Sequence, residues 1–103
     1  MLPGLYEITF ILKASGKPGD KIGHIELHDQ LQDEKLQTRI LRPGDRNVMM
    51  RLNVYEDRIV EPRLYFDGSG QLEFDRIEIR LLQVEPEPRK ASVPAVSIQP
   101  LPL

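Results

Sequence analysis

Leu64 to Leu82 reads LYFDGSGQLEFDRIEIRLL, two strand-like apolar runs separated by Asp67-Gly68-Ser69-Gly70. The glycines on either side of Ser69 permit positive φ, so the chain can reverse within a few residues. Tyr65, Phe66, Phe74, Ile77 and Ile79 supply the aromatic and β-branched side chains that a pleated sheet favours. The spacing predicts a hairpin here and an all-β fold. In the second run the apolar parity changes, from Leu72 and Phe74 to Ile77, Ile79 and Leu81, which predicts a β-bulge or bend at Asp75-Arg76.

Working outward, the same period-two pattern recurs. Tyr6, Ile8, Phe10, Leu12 and Ala14 share one face of a first strand, with Glu7, Thr9 and Lys13 on the other. Ser15 to Asp20 is a loop by composition. Ile22 to Asp29 alternates again, Ile25 and Leu27 facing opposite to His24, Glu26 and His28. Gln30 to Glu34 lacks an apolar face and is expected to be a loop, with room for one helical turn. Leu36, Thr38 and Ile40 mark a third strand, closed by the turn chemistry of Arg42-Pro43-Gly44-Asp45. Val48, Met50, Leu52 and Val54 form the core face of a fourth. After a charged connection from Glu56 to Glu61, Pro62 is expected to open the fifth, where its missing N–H is tolerated. Six or seven short strands with turn signals between them predict an antiparallel β-sandwich of jelly-roll type over residues 1–84; a small closed barrel is the alternative. From Glu85 the pattern stops. EPEPRKASVPAVSIQPLPL holds most of the chain's nine prolines and is expected to be an extended tail or linker over 85–103. Val93, Val96, Ile98 and Leu101 within it could dock along an open sheet edge or a neighbouring chain.

Composition narrows the function classes. At 103 residues, 40% apolar and 29% charged, the chain has the make-up of one soluble domain. Zero cysteines exclude disulfides, thiol catalysis and zinc-thiolate sites. A net charge of −2 argues against general phosphate binding, so no nucleic-acid partner is expected. Glu7 and Lys13 interrupt the first apolar segment, so no signal peptide is visible, and no apolar run approaches the ~20 residues of a spanning helix. No membrane partner or cofactor is expected.

GLYEITFILKA, RILRPGD and LYFDGSGQLEFDRIEI resemble the galactose-binding-domain-like jelly rolls, over about residues 4 to 84. That group includes many non-catalytic carbohydrate-binding modules, and a Gly-x-Tyr strand start and a late Leu-x-x-Asp-x-Ile strand recur in it. Its members usually carry one or two strands before the Gly-x-Tyr strand, whereas this chain begins almost on it, which fits a minimal or truncated variant. Many also stack tryptophans on sugar rings. This chain has none.

The polar face of the fourth and fifth strands is the candidate carbohydrate surface: Asn47, Arg51, Asn53 and Tyr55, with Arg63 and Tyr65. Amides and guanidinium groups give directional hydrogen bonds to hydroxyls, and a tyrosine ring gives a flat apolar partner for a sugar face. Met49 on the same face suits a contact with protein instead. The implied partner is therefore carbohydrate or protein, self-association through an open edge included. His24 and His28 lie roughly 13 Å apart in a strand, too far to share a metal, and are expected to be structural. Asp67-Gly68-Ser69-Gly70 lacks the sixth-position glycine and twelfth-position acid of a calcium loop. Asp75 would need a second carboxylate such as Glu7 to hold calcium. No metal site is expected. Nor is an active site: the acid pairs Asp33-Glu34 and Glu56-Asp57 fall in polar connections, and no serine sits in a nucleophile elbow.

Overall fold

The computed structural model describes residues 1–88; the expected proline-rich tail, with Val93, Val96, Ile98 and Leu101, lies outside the described residues from 89 onward. Six strands follow one another: β1 (Gly4–Ser15), β2 (Gly23–Asp29), β3 (Glu34–Leu41), β4 (Arg46–Val54), β5 (Val60–Phe66) and β6 (Gln71–Gln83). Among the described residues there is no helix. The strands form two antiparallel three-stranded sheets, β4-β1-β6 and β3-β2-β5. The core lies between the sheets. Ile8, Phe10, Leu12 and Ala14 of β1 and Val48, Met50, Leu52 and Val54 of β4 meet Ile22, Ile25, Leu27 and Leu41 in one buried cluster. Apart from Ile22 and Leu41, these are the alternating residues that the sequence marks as core on β1, β2 and β4.

The predicted hairpin is corrected. β5 and β6 do not pair with each other: β5 pairs with β2 and β6 with β1, in different sheets. Each run is apolar on one face, and each satisfies its ladder on a central strand. The glycines of the connection serve a crossing between layers instead of a fold-back, with φ of 93° at Gly68 and 69° at Gly70. This crossing lies against the β1–β2 connection. Asp67 N donates to Ile22 O (2.9 Å), Lys21 pairs with Asp67, and a Cβ on Gly70 would sit 2.3 Å from Ser15 O.

β3 also departs from its predicted face. Leu41 is fully buried, while Thr38 and Ile40 are exposed. The register slips between Leu27 and His28, which inserts an extra residue in β3 and sets Gln37, Arg39 and Leu41 opposite Leu27, Ile25 and Gly23. Pro62 lies inside β5, opposite Leu27, and not at its start. It is tolerated there because β5 is an edge strand. The bulge expected at Asp75-Arg76 is present: Ile11 stands opposite Arg76 and Leu12 opposite Phe74, so Asp75 is the extra residue.

At Gly23 the β5 backbone leaves no room for a side chain, since a Cβ there would lie 2.0 Å from Tyr65 O. The obstacle is backbone, which a side-chain adjustment cannot relieve. Gly23→Ala is expected to lower the melting temperature by roughly 5–20 °C, the equivalent of about 1–3 kcal/mol of overpacking. A thermal melt within 2 °C of wild type, an interval of about the scatter of such measurements, would show that the contact is slack.

Candidate functional site

Because β4 and β5 edge different sheets, the six residues expected on one surface divide among three places. Asn47 has φ of 47° and sits where β1 and β4 lose register between Phe10 and Lys13. It lines an open groove of about 370 Å³ with Ile11, Lys13, Arg46, Glu73, Phe74 and Asp75 among its walls. Arg63 and Tyr65 stand beside β2 on the outer face of the β3-β2-β5 sheet. Tyr65 stacks on His24 (centroids 4.5 Å apart, planes at 14°), and Arg63 is paired with Glu61. Only Arg51, Asn53 and Tyr55 stay together. They line an open cleft of about 400 Å³ between the β3 and β4 edges, completed by Glu34, Leu36, Gln37, Leu52 and Arg58.

Two inputs shape this cleft. Gln37 is turned inward by the β3 register, and its side-chain amide donates to the carbonyl of Arg51, tying the two edges together. Arg58 is held by Asp29, which is 1% exposed and accepts from Arg58 Nη1 at 2.6 Å. The same guanidinium reaches Glu34 Oε1 at 3.3 Å. Asp29 also accepts from the amides of Leu31 (3.0 Å) and Gln32 (3.2 Å), so one carboxylate folds the β2–β3 turn and anchors the β4–β5 connection. Burial opposes its ionisation, but those two amides and the Arg58 guanidinium outweigh it and hold the carboxyl below the ordinary 3.8. Asn53 Oδ1 accepts from Glu87 N (2.8 Å), so its NH2 is the group it can offer a ligand.

Comparison with protein-family profiles, curated proteins and solved structures returns no match.

Both histidines have carboxylate neighbours. His24 lies 3.4 Å from Glu26 and His28 lies 2.8 Å from Asp33. Both rings stand on the outer face of β2, and the neighbouring strands on either side leave Glu26 and His28 buried, more so than a solvated outer face would suggest. Among the described residues no group of three His, Cys, Asp or Glu is placed to hold a metal. Glu7 is not brought to Asp75. It stands opposite Arg51 and Arg80 and pairs with Arg80 (3.2 Å), while Asp75 sits in the bulge beside Arg76.

Gln37 and Arg58 were not among the residues the sequence singles out, and Glu34 was read only as a solvated acid. Gln37 reads as part of a polar edge strand, and Arg58 as part of a solvated connection. Asp29 carried a usable signal, a strand-ending Asp before a polar stretch, which is the pattern of an Asx turn. With a lowered native value, the stability that Asp29 supplies is present in full above the ordinary 3.8 and is lost as the pH falls below it. Melts between about pH 7 and about pH 3 should therefore fall more steeply for wild type than for Asp29→Asn; parallel slopes would remove Asp29 as the acid-sensitive group.

Proposed function

We propose that this chain is a non-catalytic carbohydrate-binding or accessory module of a larger polypeptide, of the galactose-binding-domain-like jelly-roll group, and that its sugar site is the cleft of Arg51, Asn53 and Tyr55. The observation that carries the reading is the composition of that cleft: a half-buried tyrosine ring, two side-chain amides and two guanidinium groups around one open depression. Hydroxyl-rich ligands are held by such planar donors and acceptors, with an aromatic face for their C–H surface. Gln37 and Arg58 are already fixed by Arg51 O and Asp29, so less side-chain freedom is lost on binding. The jelly-roll assignment draws support from nested pairing, the first strand with the last (β1 with β6) and the second with the last but one (β2 with β5).

Tyr65 and Arg63 drop out of the site, because they stand on the outer face of the other sheet. A shallow cleft without tryptophan implies a Kd of about 0.1–1 mM. In a glycan array followed by titration, Tyr55→Ala should weaken binding about fivefold or more (stacked aromatic contacts contribute roughly 0.5–1.5 kcal/mol beyond area), and Arg51→Ala should weaken it too. Tyr65→Ala should bind as wild type. Binding to no glycan, or equal binding by all three variants, ends the proposal.

A further inference from the structure

β6 leaves apolar surface uncovered on the side that faces the core. Ile77, Ile79 and Leu81 stand in register with Phe10, Ile8 and Tyr6 of β1, yet Ile79 is 50% and Leu81 47% exposed. The four-residue crossing places β5 on the same flank, but β5 does not cover them, and its own Phe66 is 54% exposed. Among the described residues β6 pairs only with β1, so its other edge presents unpaired backbone donors and acceptors. Between the Asp75 bulge and a second one at Leu82, the run Arg76 to Leu81 holds neither proline nor lysine, two of the usual devices that blunt an edge.

We infer that this edge pairs with the β6 edge of a second copy, antiparallel about a two-fold axis at Ile79. The charge pattern selects the register. Pairing about Ile79 sets Ile79 opposite its mate, Ile77 opposite the partner's Leu81, and Glu78 opposite the partner's Arg80, twice over by symmetry. All apolar residues then share one face, the two Glu–Arg pairs the other. Centring on Glu78 would set Glu78 against itself and Arg76 against Arg80. Centring on Ile77 would set Ile79 against Asp75, within the bulge. Both of those registers place like charges or a charge and an apolar residue directly opposite, which is destabilising. The described residues after β6 leave this edge. After Gln83 they cross to β4, where Glu87 N reaches Asn53, on the far side of β1 from the open edge. The dimer joins the two sheets into one of six strands, β4-β1-β6 continued by the same three strands of the second copy in reverse order.

Sedimentation of the full chain over a range up to about 0.5 mM tests this. The expected result is a monomer–dimer equilibrium. Glu78→Arg alone and Arg80→Glu alone should each raise the dissociation constant at least tenfold, about 1.4 kcal/mol, and the double exchange should restore it. Because the chain has no cysteine, Ile79→Cys gives a second readout: a disulfide between copies that forms faster than one from Ile40→Cys, an exposed position on the other sheet. A monomer throughout the range, a dimer indifferent to the charge exchanges, or equal disulfide rates would overturn the inference. The monomer outcome includes the case in which another segment occupies the edge.

Discussion

The Asp29–Arg58 pair is the constraint on which the cleft end of the molecule depends. A carboxylate withdrawn from water needs nearly all of its acceptor capacity filled, and Asp29 achieves this with two backbone amides and one guanidinium. Each bond fixes a different segment: the amides of Leu31 and Gln32 fold the turn into β3, and Arg58 fixes the approach to β5. Arg58 is held from the backbone side as well, because its amide donates to Met1 O (3.1 Å) and its carbonyl accepts from the N-terminal amine. The start of the chain is thereby joined to the same cluster. A guanidinium already committed to Asp29 and Glu34 adds no unpaired charge to the cleft, and presents its remaining N–H groups in a fixed direction.

The core strands were legible because they obey one rule at a time. β1 and β4 alternate through most of their length, and of the residues read as apolar stripes all but the half-buried Tyr6 are buried. The bulge at Asp75 was legible too, since a change of parity has few other causes. What the sequence hid was partnership. A glycine-rich connection of four residues serves a hairpin or a crossing between layers equally well, and the choice is made by ladders that form far away along the chain. β3 was misread for a related reason: the extra residue of its bulge is Leu36 itself, so an alternation counted from Leu36 runs on the wrong parity through Thr38 and Ile40. The candidate site inherited the first error, because Tyr55 and Tyr65 share a surface only if β4 and β5 share a sheet.

The two central strands carry unequal loads. β2 has polar side chains on its outer face, where buried Glu26 has His24 and Lys35 as partners (3.4 and 3.5 Å) and buried His28 has Asp33 (2.8 Å). β1 instead carries Thr9 and Ile11 on that face, with Glu7 paired to Arg80. The β3-β2-β5 sheet therefore keeps its outer surface by electrostatic pairing and ring stacking, and the β4-β1-β6 sheet mainly through the core beneath it.

The pairing of β1 with β6 also sets the order of events during folding. The first described strand obtains its second neighbour only from the last described strand, so its ladder on that side closes the longest loop among the described strands. Non-local closure of this kind slows folding, because chain entropy is lost before the contacts that repay it are made. Until β6 arrives, Ile8, Phe10 and Leu12 have β4 beside them and an open flank on the other side. A nascent chain thus passes through a stage in which its most apolar strand is half-dressed, and the speed with which β6 docks decides how long that stage lasts.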